Sequence, residues 1–172
     1  MIRRHFLILS GIAAVMIATR SNAADLTISL TGSFHAATCD WSSGDANTVV
    51  TLEDISQDAL PRGKVVALKS FKLDLDKCSA GTTGAKFTFT GTPAAGDPLR
   101  FLNTGGAQGV AVQLQSADGK VIGADGTDNQ RTVAIVNGRA SLPLAAGYWR
   151  LATQNVVPGS VSAIATVTVE YM

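Results

Sequence analysis

The sequence contains few of the residues on which enzymes and nucleic-acid-binding proteins depend. Of its 172 residues, two are histidine and two are cysteine, 6% are aromatic and 16% are charged, and the formal net charge is +1 with no basic run. This composition argues against a multi-histidine metal site and against nucleic acid as a partner. A phosphate-binding glycine loop and a Gly-x-Ser-x-Gly elbow are also missing. We predict a protein that is not an enzyme and uses no metal or other cofactor.

Long hydrophobic runs are absent too, and the longest uncharged apolar stretch lies near the first residue. Phe6–Ala18 has 13 residues, whereas a membrane-spanning helix needs about 20. It follows Arg3-Arg4 and precedes the small residues Ser21–Ala23, which is the pattern of a secretory signal peptide. We therefore expect residues 1–23 to be removed and the exported chain, without membrane insertion, to begin at Ala24. It would then form a single domain.

The two cysteines, Cys39 and Cys78, both fall in the part predicted to be exported. The periplasm oxidises suitably placed cysteine pairs, so we predict a disulfide. In the chain-entropy model, closing a loop of this length stabilises a fold by about 4 kcal/mol. The alternative is a metal site or a nucleophilic thiol. It is disfavoured because neither cysteine has a second cysteine or a histidine at ligand spacing.

Apolar residues alternate with polar ones along most of the chain, and a period of two predicts β-strands. The clearest alternating segments are Leu26–Leu30, Phe71–Leu75, Phe87–Phe89, Val110–Leu114 and Val167–Tyr171. Turn signals separate them, and Asp118-Gly119 and Asn137-Gly138 stand where hairpins would need them. The sequence therefore predicts an all-β antiparallel sandwich, with an immunoglobulin-like Greek key as the favoured arrangement.

Alternating strands also stand at the two ends of the predicted exported chain. The first presents Leu26, Ile28, Leu30, Gly32 and Phe34 on one face, with no charge or proline between Leu26 and Phe34. The last strand presents on one face Val161, Ala163, Ala165, Val167, Val169 and Tyr171. Such strands invite pairing with another chain. The pattern alone favours the simpler interpretation, in which each strand completes its own sheet.

An ordered set of segments carries a family resemblance across the whole exported chain. The segments are Gly32-Ser33-Phe34 before Cys39, Phe71–Leu75 before Cys78, Phe87–Gly91, Gly109–Leu114, and Pro158-Gly159 through Met172. In this order they resemble the chaperone–usher pilin subunits of type 1 and P pili. The opening segment Ala24–Gly32 is similar to the short extensions of minor tip-adaptor subunits, whereas major shaft subunits usually carry longer ones.

The resemblance implies a structural subunit of a surface fimbria that supports cell adhesion and assembles by donor-strand exchange. Its fold would be an incomplete immunoglobulin-like Greek-key sandwich, completed by a strand from another molecule. Residues 24–34 would be the donor extension and residues 35–172 the pilin domain. The donated face would be Leu26, Ile28, Leu30, Gly32 and Phe34, and Gly32 would meet a shallow part of the groove.

The acceptor side follows from the same resemblance. The groove would be lined partly by the last strand, with Val161, Ala163, Ala165, Val167, Val169 and Tyr171, and Met172 would be the chaperone anchor. The implied partners are a periplasmic chaperone, an outer-membrane usher and neighbouring pilin subunits. The protein would pass through the periplasm to an extracellular fimbria on the cell surface.

Two alternatives remain open at the level of sequence. The first is a secreted β-sandwich binding module for carbohydrate or a host protein, with Trp41, Tyr148 and Trp149 available for stacking, although core packing is favoured for all three. A receptor could otherwise be bound through the loop at Gly123–Arg131. The second is a terminator subunit at the base of the pilus. His35 is interpreted as a surface or groove-edge residue without a catalytic role.

Overall fold

The computed structural model describes residues 38–42 and 47–172. The predicted signal peptide and donor extension, and His35, lie outside the described residues. The described part has ten strands: β1 Asp40–Trp41, β2 Val65–Asp76, β3 Gly84–Gly91, β4 Pro93–Ala94, β5 Asp97–Leu102, β6 Val110–Ser116, β7 Val121–Ile122, β8 Gln130–Ala134, β9 Ala140–Arg150 and β10 Ala165–Tyr171. A short 3-10 helix spans Gln57–Ala59, and no described helix could cross a membrane.

The strands form two antiparallel sheets. The larger sheet has the order β1-β2-β9-β6-β5-β4, with β7 paired to β6. The smaller sheet has the order β10-β3-β8. The chain passes from one sheet to the other after β2, β3, β7, β8 and β9, whereas the consecutive strands from β4 to β7 pair directly. The prediction of an all-β sandwich is confirmed.

The core lies between the two sheets and follows the period of two. Along β3, Phe87 and Phe89 are buried while Lys86 and Thr88 are partly exposed, because successive side chains point to opposite faces. They meet inward-facing residues of the larger sheet, chiefly Leu73, Leu75, Phe101, Leu114, Leu142 and Leu144. The alternation that predicted the strands therefore also selects the core.

Cys39 and Cys78 form a disulfide, as predicted. The bond joins the residue before β1 to the segment that follows β2. Next to it, the backbone N–H of Ser79 donates to the carbonyl oxygen of Thr38 at 2.9 Å. These contacts hold the first described residues against the end of β2.

The two predicted hairpins have different outcomes. Asp118-Gly119 turns between β6 and β7, which pair as expected. Asn137 and Gly138 also form a tight turn, with φ of 51° and 71°, but they are flanked by a single bridge between Val136 and Arg139. Because β8 belongs to the smaller sheet and β9 to the larger one, the prediction of a hairpin here was wrong. β9 instead lies between β2 and β6, where Ala140, Leu142, Leu144 and Ala145 are buried.

The predicted final strand is longer than the observed one. β10 begins at Ala165, so Val161 and Ala163 precede it. Gly91, the last residue of β3, pairs with Ala165, and the smaller sheet offers no further residue of β3 beyond that point. The preceding segment is held by the loop after β5 instead, where the N–H of Thr104 donates to Ser162 O at 2.8 Å.

Candidate functional site

One edge of the smaller sheet is open in the described part of the chain. β10 pairs with β3 from Ala165 to Tyr171, and no other described strand lies beside it. Met172 and Gly84 exchange both of their N–H···O bonds, at 2.9 and 3.2 Å. In an antiparallel ladder such pairs alternate, so the main-chain N–H and C=O groups of odd-numbered β10 residues point away from β3.

The side chains of the same odd-numbered residues face inward. Val167, Val169 and Tyr171 are partly buried and pack against the core, whereas Thr168 and Glu170 on the other face are exposed. The edge therefore combines free main-chain groups with apolar side chains turned towards the interior. This is what an additional strand requires for pairing.

A cleft of about 1280 Å³ runs along this edge. One wall is the start of β10, residues 165–167, with the preceding residues 156–164, and the other wall is the segment Asn47–Gln57, which we call the opposite wall. The floor is apolar and is contributed by both sheets: Phe71, Leu73, Phe89, Phe101, Val112 and Leu114. The cleft is larger than the roughly 300–1,000 Å³ typical of small-molecule pockets, which suits an extended peptide better than a small ligand.

The opposite wall is extended chain with little main-chain pairing. From Val49 to Asp54, no backbone hydrogen bond joins it to another described residue. Its side chains alternate, since Val50 and Leu52 are partly buried whereas Val49 is 88% exposed. Among the described residues, Val49–Asp54 on one side and the outer edge of β10 on the other thus offer main chain that pairs with no strand, next to an apolar floor.

The two ends of the cleft are distinct. At the disulfide end, the hydroxyl of Tyr171 donates to the carbonyl oxygen of Cys39 at 3.3 Å and links β10 to the segment before β1. At the other end, which we call the Tyr148 end, Tyr148 pairs with Val112 near the start of β6. The residues leading into β10 bond to the loop that enters β6, for example Gln108 with Val157, so β10 begins at the Tyr148 end.

Charge is confined to one place in the cleft. Among the described residues that line it, Asp54 alone carries a charge. Burial raises the pKa of Tyr148 above its ordinary value, and the nearby carboxylate of Asp54 raises it further. The Tyr148 end therefore holds a carboxylate and a neutral phenol, whereas the remaining lining is apolar or carries hydroxyl and amide groups.

The predicted acceptor residues occupy two positions along the cleft. Val161, Ala163, Ala165 and Val167 line it. Val169 and Tyr171 pack against the core nearer the disulfide end.

Met172 lies beyond the end of β10, and its side chain is 53% exposed. Its backbone oxygen accepts hydrogen bonds from the N–H groups of Thr83 at 2.6 Å and Gly84 at 3.2 Å. The five predicted donor residues lie outside the described part of the chain.

Sequence reasoning missed the opposite wall and Asp54. The available signal was the short alternation from Val49 to Glu53, in which apolar Val50 and Leu52 alternate with outward residues. It spans too few residues to stand out. The side of the sandwich on which the opposite wall lies depends on its contacts with β2 and β9, which are distant in sequence.

The three aromatic residues considered for sugar stacking lie in separate environments. Trp41 contacts Phe87 edge-on, with ring centroids 6.2 Å apart. Tyr148 lines the cleft, and Trp149, on the opposite face of β9, stacks against the Arg100 guanidinium at 4.0 Å. They form no common surface, and packing accounts for Trp41 and Trp149.

Comparison with known proteins gives consistent matches. The family model described as fimbrial protein matches residues 28–172. The chain is 35% identical over 173 residues to a type-1 fimbrial protein subunit of Serratia marcescens, covering 92% of this chain and 94% of that one. It is 32% identical over 154 residues to the fimbrial-like protein FimF of Salmonella typhimurium, covering 88% and 87%.

Among solved structures, the P pilus rod subunit PapA superposes with a TM-score of 0.66 at 23% identity, covering 78% of this chain and 99% of that one. This likeness shows a shared immunoglobulin-like fold.

Proposed function

The chain belongs to the fimbrial protein family and is a structural subunit of a chaperone–usher fimbria, and from this premise we propose that the cleft beside β10 receives one strand donated by a neighbouring subunit. The observation that carries the proposal is the open edge of β10, where outward main-chain groups and inward Val167 coincide with an apolar floor. A strand inserted there would form a ladder with β10 and place alternate side chains in the cleft.

Residues 24–34 of a neighbouring copy are the proposed donor. Leu26, Ile28, Leu30, Gly32 and Phe34 would enter the cleft on one face, with Gly32 at a shallow position. From Leu26 to Phe34 there are eight steps, which span about 26 Å in a strand. On the acceptor wall, Val161, Ala163, Ala165 and Val167 line the cleft at every second position. The donor and the cleft are therefore matched in alternation.

Burial makes such a joint strong. Four apolar side chains at about 1.5–3 kcal/mol each contribute roughly 6–12 kcal/mol before the cost of ordering the strand. A whole domain is usually stable by about 5–15 kcal/mol. Subunits joined in this way would separate very slowly, although the disulfide lies within each subunit.

An unfilled cleft with a free edge is an aggregation hazard, and this supports the proposed chaperone and usher partners. A periplasmic chaperone would occupy the cleft until the outer-membrane usher brings in the next subunit. We propose that Met172 contacts the chaperone, because its exposed side chain lies directly beyond β10. The protein would pass through the periplasm to a fimbria on the cell surface, where its role is structural and involves no catalysis.

The donor face can be tested with one pair of variants in the exported chain, residues 24–172. Leu30→Asp places a charge on the proposed inward face, and Thr31→Asp places the same charge on the opposite face. We expect Leu30→Asp to abolish assembly into fibres while Thr31→Asp assembles as the unchanged chain does, as measured by size-exclusion chromatography and electron microscopy. Normal assembly of Leu30→Asp would contradict the assigned face.

A further inference from the structure

Asp54 is unusual in the cleft because its carboxylate stands on a wall that an apolar strand would cover. It makes no hydrogen bond or ion pair with another described residue. Its neighbour Glu53 pairs with Lys69 at 3.9 Å, outside the cleft lining. Covering an unpaired carboxylate costs free energy unless the incoming strand supplies a compensating charge or hydrogen bond.

Two arginines near this end are engaged elsewhere. The guanidinium of Arg150 donates to Leu60 O at 3.3 Å, and that of Arg62 donates to Ala152 O at 2.8 Å. Residues 156–164, across the cleft from Asp54, include no charged residue. Tyr148 supplies no positive charge, and burial and Asp54 both raise its pKa. Asp54 is exposed in the open cleft, and the nearby Lys69 pairs with Glu53. An occupant that covers Asp54 would therefore meet a carboxylate without an ion pair among the described residues.

We infer that Asp54 is a specificity-determining residue, which selects donor strands that bring a basic side chain to the Tyr148 end of the cleft. The inference rests on the proposed function and concerns which strands the same cleft prefers. The occupant to which we commit is the extension of a second copy of this chain. That extension has Asp25 near its start and His35 directly after Phe34.

Charge complementarity then favours one direction of the strand. β10 begins at the Tyr148 end, so a donor antiparallel to β10 brings its own last residues, Phe34 and His35, to Asp54. A parallel donor would place Asp25 beside Asp54 instead, with like charges in contact. Because His35 follows the last inward residue, it would lie at the rim of the cleft, where Asp54 is exposed.

The test uses the exported chain with Leu30→Asp as the acceptor, so that its own extension does not compete. Labelled peptides spanning residues 24–38 carry either His35→Lys or His35→Glu, and their release rates are measured at neutral pH and low salt. An exposed charge pair contributes about 1 kcal/mol at most, so we expect the His35→Glu peptide to leave roughly five-fold faster. High salt should reduce this difference.

The controls are two neutralising variants of the acceptor. Asp54→Asn should remove the difference between the peptides, whereas Asp58→Asn, an exposed acid of the 3-10 helix outside the cleft lining, should leave it intact. Equal release of both peptides from the acceptor with Asp54 present, or an unchanged difference in Asp54→Asn, would overturn the inference and leave strand donation standing. Failure of every peptide to bind would overturn the proposed function and the inference together.

Discussion

The smaller sheet ends on one side at β8 and on the other at β10, and these two edge strands meet the larger sheet differently. At β8, the side chain of Arg131 is 12% exposed and crosses the sandwich, where its Nε donates to Ser116 Oγ of β6 at 2.9 Å. Its Nη2 donates to the carbonyl oxygens of Lys120 and Val121 at 3.1 and 3.2 Å. At β10, the space between the sheets is the apolar cleft.

The difference shows what makes an edge receptive. β8 has five residues, and an inward charge is one of the features that keep edge strands from pairing with other chains. β10 has seven residues, and its inward positions from Val167 to Tyr171 carry no charge. Within the described part of the chain, neither edge pairs with a further strand, but only the edge beside an apolar gap can bury the side chains of an added strand.

The largest expected effect comes from giving β10 the inward charge that β8 has. Val167→Lys places an ammonium group in the cleft, where an incoming strand would have to cover it. We expect the affinity for the peptide of residues 24–38 to fall at least about 100-fold, or about 3 kcal/mol. Thr168→Lys, on the exposed face of the same strand, should bind the peptide as the unchanged chain does.

Peptide binding can be measured by the fluorescence anisotropy of a labelled peptide, with near-ultraviolet circular dichroism to confirm that both variants are folded. Equal binding by a folded Val167→Lys would mean that the strand enters elsewhere.

The next effect comes from removing the hydrogen bonds by which Arg131 joins β8 to the larger sheet. Arg131→Met keeps much of the side-chain volume but leaves Ser116 and two carbonyl oxygens without their charged donor. We expect a loss of about 2–3 kcal/mol in the free energy of unfolding, measured by urea denaturation of the peptide-loaded chain. Arg139→Met, in the exposed turn before β9, should change it by less than about 0.5 kcal/mol. A comparable loss in both variants would contradict the bridging role.

The smallest effect concerns the two glycines at the ends of β3. A Cβ at Gly91 would lie 2.5 Å from the ring of Phe101, which is 2% exposed and has little room to move. A Cβ at Gly84 would first meet Cε of Met172 at 3.0 Å, the end of a flexible side chain. Gly91→Ala should therefore lower the free energy of unfolding by about 1–2 kcal/mol. Gly84→Ala should change it by less than about 0.5 kcal/mol.

Thermal and urea unfolding of the two alanine variants would check that Gly91→Ala lowers the free energy of unfolding more than Gly84→Ala does. If Gly84→Ala proved the more harmful, the start of β3 would be packed more tightly than the end that pairs with Ala165.

Much of the fold follows from local sequence pattern. The alternation in Phe71–Leu75, Phe87–Phe89, Val110–Leu114 and Val167–Tyr171 predicted parts of β2, β3, β6 and β10. The cysteine pair and the Asp118-Gly119 turn were predicted correctly as well. These features depend on side chains a few residues apart or, for the disulfide, on residue type and compartment, and so the sequence carries them directly.

The sequence by itself thus determined the strand class, the inward faces, the disulfide and the family. Tertiary structure alone decided that Asn137-Gly138 sends the chain across to the other sheet, that β10 starts at Ala165, and that Asp54 faces the cleft. The physical reason is that strand pairing and burial are settled between residues far apart in the chain. Whether an edge strand can accept another strand depends on the residues of the larger sheet that face it. The alternation along one strand does not predict which residues those are.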